Sequence, residues 1–167
     1  MKCNRKWLIL GLAVVLVLVL SVVFVLSLGG INKYNAVCFE VEDLTCYVPS
    51  DWICEDSGSN YEIYKKDIDD GYMTVGFQYW GTYEPEAFAE ERNRAEADDD
   101  YEVVDYSVRG ADDSFLMIYQ EEENLFYECY YMILWEDECY MIDFVADGVS
   151  ADVNLFENIV KSVEFNG

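Results

Sequence analysis

Histidine is absent from these 167 residues, which removes imidazole metal ligands, histidine-based triads and the usual near-neutral proton shuttle. Any catalysis must then run on carboxylates, Tyr, Lys or Cys. The Ser and Cys side chains have no imidazole base, and no Ser-x-x-Lys or Gly-x-Ser-x-Gly context surrounds them. Neither a P-loop nor a dinucleotide fingerprint occurs, so no cofactor is expected. Paired carboxylates can hydrolyse glycosides, but among 34 acidic residues spacing alone singles out no catalytic pair.

Two acidic stretches invite a metal reading. In Asp67-Ile68-Asp69-Asp70-Gly71, a calcium loop counted from Asp67 needs Gly at position six and Glu at position twelve; Tyr72 and Gln78 stand there. A hairpin turn with positive φ at Asp70-Gly71 fits better. Glu96, Asp98, Asp99, Asp100 and Glu102 form the densest acidic group, near a helix C-terminus where a cation would relieve the dipole, yet a solvated turn accounts for them. No metal ligand is assigned.

Cysteine and aromatic residues remain. Beyond the N-terminal segment lie Cys38, Cys46, Cys54, Cys129 and Cys139, an odd number. A hairpin centred on Ser50 would set Cys46 opposite Cys54, and direct cross-strand Cβ atoms lie about 4.5 to 5.5 Å apart, near disulfide reach. A turn at Glu136-Asp137 instead pairs Cys129 with Asp143 or Phe144, away from Cys139. All 14 Tyr, with Trp52, Trp80 and Trp135, lie beyond the N-terminal segment. Most suit a core, but some of Tyr127, Tyr130, Tyr131 and Tyr140 must point away from one core face. Trp80, Tyr130 and Trp135 are the candidate aromatic interaction surface.

Trp7 to Leu28 is a run of 22 residues without a charge. As a helix it reaches roughly 33 Å against a hydrocarbon core of about 30 Å. The run is long for a secretory signal, which favours an uncleaved anchor, although Ser27-Leu28-Gly29 reads as a small-x-small cleavage site. Lys2, Arg5 and Lys6 on one flank, against Lys33 on the other, orient the N-terminus to the cytoplasm. The expected organisation is a basic stub over 1–6, a single-pass membrane anchor over 7–28, a tether over 29–36 and an extracytoplasmic domain over 37–167. From Ile31 onward the chain holds 7 basic residues against 34 acidic, a net of −27. That field repels phosphate backbones and anionic lipid head groups, so nucleic acid is excluded as a partner and a basic protein is favoured.

The elements that must hold these groups are mainly strands. Aromatic and β-branched runs separated by acidic, Gly- or Asn-bearing turns predict strands over 37–41, 44–48, 61–65, 72–80, 101–109, 115–121, 125–135 and 139–146. The last two carry apolar residues on both parities, so both faces of the sheet are covered at its centre. Pro85 to Asp98 reads as a rather exposed helix with a Glu90/Arg94 pair. Asp152 to Lys161 reads as a helix packed on the sheet through Leu155, Phe156, Ile159 and Val160, with Ser150 or Asp152 as N-cap.

Two stretches carry a resemblance. Leu44-Thr45-Cys46-Tyr47-Val48-Pro49-Ser50-Asp51-Trp52, a strand entering Pro-x-x-Trp, resembles the start of PsbP-like domains. Tyr140-Met141-Ile142-Asp143-Phe144, the following helix, and Ser162-Val163-Glu164-Phe165 resemble their end. The resemblance implies an α+β fold in which a central, mostly antiparallel sheet is sandwiched by helices, here preceded by one N-terminal transmembrane helix. It implies binding or assembly rather than catalysis. The metal sites of photosynthetic members involve His, so they do not carry over. The expected function is a membrane-anchored, extracytoplasmic, non-catalytic domain for a cationic protein partner; the alternatives are a carboxylate-pair enzyme or a carbohydrate-binding module acting on cell-envelope glycans.

A net of −27 on about 137 residues must repel itself in the compact state at a Debye length of roughly 8 Å. The melting temperature is expected to climb with monovalent salt and then level off. Calcium titrated at fixed, high ionic strength is expected to add no saturating rise. A melt insensitive to salt would overturn the repulsion argument.

Overall fold

The computed structural model describes residues 36–41, 43–121 and 125–166, so the stub, the anchor and residues 29–35 of the tether lie outside the described residues. Among those described, no helix is long and apolar enough to cross a membrane. Among the described residues the architecture is α+β, a mostly antiparallel β structure with two helices.

Among the described residues ten strands form two sheets. Strand β1 (Ala36–Val41), β2 (Leu44–Pro49) and β10 (Glu164–Phe165) make a three-stranded sheet with β2 central. The larger sheet contains β3 (Ile53–Ser57), β4 (Tyr61–Ile68), β5 (Gly71–Thr82), β6 (Glu102–Asp105), β7 (Asp113–Glu121), β8 (Phe126–Trp135) and β9 (Glu138–Asp147). Its order is β3-β4-β5-β9-β8-β7-β6, with every pair antiparallel. Two meanders, β3 to β5 and β6 to β9, thus join side by side through β5 and β9.

That topology dictates where the first helix goes. The chain leaves β5 in the middle of the sheet and must reach β6 at the far edge, so it crosses one face. Helix α1 (Pro85–Glu96) makes the crossing, with Pro at its first turn. Phe88 anchors it, 1% exposed and edge-on to Phe115 of β7 at 5.3 Å, above Met132, Leu134 and Cys139. Arg92 bonds Glu96 and reaches Asp105, tying the helix to β6. The rest of α1 is largely exposed, as its sequence predicts.

Helix α2 (Val153–Lys161) covers the opposite face. Asp152 is the N-cap, its Oδ1 accepting from the Leu155 N–H at 3.0 Å. Phe156, Ile159 and Val160 are buried, with Phe156 stacked on Phe144 of β9 at 4.5 Å. Burying each of these side chains contributes roughly 2 to 3 kcal/mol before entropy. The small sheet shares this face, for Trp135 stacks on Phe165 of β10 at 5.0 Å. Strands β8 and β9 are consequently buried on both sides, which is why their sequences do not alternate.

Several expectations need correction. The turn between β4 and β5 is Asp69-Asp70, one residue earlier than expected, and Asp69 carries the positive φ of 47°. Gly71 serves close approach instead: a Cβ there would lie 2.8 Å from the Gly148 carbonyl carbon. The strand expected over 101–109 shrinks to β6. Ser114 draws the chain out of the ladder, its hydroxyl accepting from the Val108 N–H at 2.9 Å and donating to the Tyr106 carbonyl at 2.8 Å. Strand β3, exposed along its whole length, has no apolar pattern to announce it.

The Cys46–Cys54 hairpin does not form. Pro49 to Trp52 is a turn, closed by the Trp52 N–H on the Pro49 carbonyl at 3.0 Å, that carries the chain from one sheet to the other. Strand β2 pairs with β1 and β10, while β3 pairs with β4. Cys46 is buried, its thiol 3.2 Å from the Ile159 carbonyl, and Cys54 is exposed; no disulfide links them. Burial pushes the Cys129 and Cys139 thiols up to about 12. Mild alkylation of the folded protein at pH 8 should therefore label Cys54 and spare Cys46, Cys129 and Cys139 until denaturant is added. Protection of Cys54 in the native state, lifted by a reductant, would restore the disulfide.

Candidate functional site

Helix α1 lies over the β6, β7 and β8 side of its face and reaches β9 only at its Cys139 end, so the sheet around β4, β5 and the Met141 to Asp143 stretch of β9 is left partly open there. Alternation fixes what it presents. Across the strands, the register places Ile63, Gly76, Asp143, Tyr130 and Met117 in one row. The next row holds Tyr61, Gln78, Met141, Met132 and Phe115.

Two adjoining hollows result. One, of ≈ 370 Å³, has a floor of Met117, Tyr130, Met132 and Met141, with Trp80 at one end and Glu91 and Arg94 of α1 along a wall. The second, of ≈ 270 Å³, is lined by Tyr61, Ile63, Gly76, Phe77, Gln78 and Asp143. Gln78 and Trp80 form the join, with the indole Nε1–H donating to the Gln78 Oε1 at 3.0 Å. Trp80 is 40% exposed, although beside three methionines, which is an unusual position for so large an apolar ring.

Asp143 is the electrostatic centre of this face. Burial raises its carboxyl to about 6, the negative charge of Glu128 adds to that rise, and its own backbone N–H opposes it. Gly76 makes the position possible, because a Cβ there would overlap the Asp143 carboxylate and stand 2.8 Å from its Cγ. Tyr130 donates its hydroxyl to Glu128 at 2.5 Å, and burial and that contact raise the phenol. Among the described residues neither Asp143 nor Glu128 pairs with Lys or Arg. Lys65 is held by Asp67 at 3.3 Å and Glu55 at 3.6 Å, and Arg94 by Glu91 at 2.6 Å.

Of the three aromatic residues singled out by sequence, Trp80 and Tyr130 line one hollow together. Trp135 does not join them; it lies on the opposite face against Phe165. The acids at 98–100 form a turn in which Asp98 Oδ1 accepts from the Asp100 N–H at 3.1 Å. Asp143, Gly76 and Glu128 were missed. Their signals were present as an Asp inside the apolar run from Cys139 to Ala146 and a Gly inside that from Tyr72 to Trp80. Each is anomalous in a central strand, and only the register puts them opposite one another.

No family model and no curated protein matches this chain. A crystal structure of a protein from Bacteroides thetaiotaomicron is similar to it, with a TM-score of 0.51 and 15% identity over 75% of this chain and 46% of that one. The chain thus spans less than half the length of that protein. At such identity the likeness concerns the fold alone.

A raised carboxyl pKa means that the folded state holds its proton to higher pH than the unfolded state does. The stability tied to Asp143 is therefore fully present below its ordinary value of 3.8 and lost as pH rises through about 6. The ceiling is roughly 3 kcal/mol, which water entering the hollow reduces to about 1 to 2 kcal/mol. Asp143→Asn should raise stability at pH 7 by that amount and match the parent near pH 3.5, read from denaturant melts. An equal gain at both pH values would refute the ionisation argument.

Proposed function

We propose that this chain is a membrane-anchored, extracytoplasmic, non-catalytic binding or assembly protein whose acidic domain docks a cationic protein partner on the face shared by Trp80, Tyr130 and Asp143. The charge distribution carries this reading. Of the six basic residues among those described, Lys65, Lys66, Arg92, Arg94 and Lys161 are engaged by the domain's own acids, so most of the carboxylates have no cation of the domain beside them. Such a field accelerates and orients encounter with a positive surface. The hollow beside Trp80 then supplies what long-range charge cannot, an aromatic and methionine-rich floor that adapts to apolar side chains. The apolar run at 7–28 supports the anchor, and the PsbP-like resemblance of the chain's two ends supports assembly over catalysis.

The rival reading, a carboxylate-pair enzyme or carbohydrate-binding module acting on envelope glycans, draws on one observation. Asp143 and Glu128 lie on adjacent strands beside Tyr130, and burial holds Asp143 in the range of a general acid. The two readings part on what enters the hollow.

Methyl NMR on methionine-labelled protein separates them, because Met117, Met132 and Met141 sit on this face while Met73 is buried on the other. A basic amphipathic peptide should shift the first three methyls, leave Met73 in place and lose affinity as salt rises. Soluble envelope glycan fragments should do nothing. Shifts with glycan alone, or release of shorter glycan products, would overturn the proposal in favour of its rival.

A further inference from the structure

The Asp143 hollow is a built feature rather than a gap in packing. A carboxylate is held in the middle strand of a seven-stranded sheet, above a glycine whose missing side chain makes its room, with no lysine or arginine of the described residues paired to it. The charged groups facing it explain why. Glu128, from β8, is another acid; Tyr130 on β8 spends its hydroxyl on Glu128; Tyr61 on β4 spends its own on Asp56; Lys65, on β4, is turned to Asp67 and Glu55. Two carboxylates on adjacent strands without a counter-charge form a deficit that the domain does not fill from its own residues.

We propose that the Asp143 hollow is an anchor subsite for one basic side chain, Lys or Arg, of the docked partner, whose neighbouring apolar residue lies in the hollow beneath Trp80. This rests on the docking reading above and names the chemistry of its central contact. The dimensions fit. Asp143 and Met141 are two residues apart on one face of β9, a step of about 6.5 to 7 Å. A lysine stem extends about 6 Å from Cα to Nζ, so a backbone passing over Met141 and Gln78 delivers its ammonium to Asp143. The stem then runs over Tyr61 and Ile63, and the head arrives at a carboxylate that loses an unfavourable lack of pairing in the same step. Aromatic rings flanking the path add attraction for a cation. Arg94 stands on the wall of the neighbouring hollow, but Glu91 and Glu90 already engage it, so it does not compete for Asp143.

The test is a double-mutant cycle on the full chain in neutral detergent. The probes are a blocked Gly-Leu-Lys-Phe-Gly peptide and its counterpart with norleucine in place of lysine, titrated while the Met141 methyl is read. The parent protein should bind the lysine peptide at least 10-fold more tightly than the norleucine peptide. Asp143→Asn should erase that preference, so that the two peptides bind this variant within about 2-fold of one another, and denaturant melts confirm that it is folded. Gly76→Ala, which closes the room around the carboxylate, should also reduce the preference. If both peptides shift Met117 and Met141 but Asp143→Asn leaves the lysine preference intact, the anchor is wrong while docking on this face stands. If neither peptide moves those methyls, docking itself fails and the anchor with it. Spermidine binding more tightly than the lysine peptide would overturn the assignment to a protein side chain.

Discussion

Everything in this fold hangs on the hairpin of β8 and β9, the two strands apolar on both parities. Glu136 and Asp137 close it with φ of 47° and 64°, a turn whose twist matches that of the strands it joins. Because both faces of this hairpin must leave water, each needs a cover, and the chain supplies α1 with Phe88 on one side and α2 with Phe156 on the other. The coverage is unequal. Helix α2 and the three-stranded sheet close their face over nearly the whole width, whereas α1, a crossover of 12 residues, closes only the part it passes over. The open hollow follows from strand order, before any side chain is chosen to line it.

Charge acts on this frame as a second constraint. A segment with a net of −27 from Ile31 onward must spend its few cations where repulsion would otherwise pull elements apart, and the structure does so: Arg92 holds α1 to β6, Lys66 reaches Asp51 beyond the end of β2, and Lys65 steadies the β3 edge through Glu55. Each such pair is open to solvent, where screening and side-chain entropy offset most of the attraction, so none of them holds the fold together alone. Their larger effect is one of depletion, since a cation engaged at the rim cannot answer a carboxylate at the centre.

Much of the frame was legible in the sequence, for identifiable reasons. Strands β7, β8 and β9, and helix α2, are written in apolar spacing, and spacing survives because each of them buries a face. What failed was encoded elsewhere. Strand β3 is an edge that buries nothing, so its five residues look like a loop. The Ser50 hairpin was plausible locally, but a turn closing on Pro49 gives no sign of whether the chain folds back or changes sheets. The early end of β6 is caused by Ser114, a residue on the next strand. For the candidate aromatic surface, the placing of Trp80 and Tyr130 off the main core face is readable because too many rings compete for one core. Trp135 was indistinguishable from them until Phe165, 30 positions later in the chain, was seen to cover it.

Asp143 joins the two constraints. A central strand is the costliest position in the domain for a charge, and an Asn of nearly the same shape would avoid that cost. Two features of the surroundings work against relief from within: Gly76 yields space to the carboxylate without offering a donor, and Glu128 adds a like charge instead of an opposite one. A carboxylate placed so is a poor structural group and a good receptor, because the energy withheld on folding becomes available to any cation that arrives from outside. The same local arrangement that lowers the domain's stability near neutral pH is what the proposed docking of a positively charged group would draw on, and the incomplete reach of α1 leaves the hollow above it open.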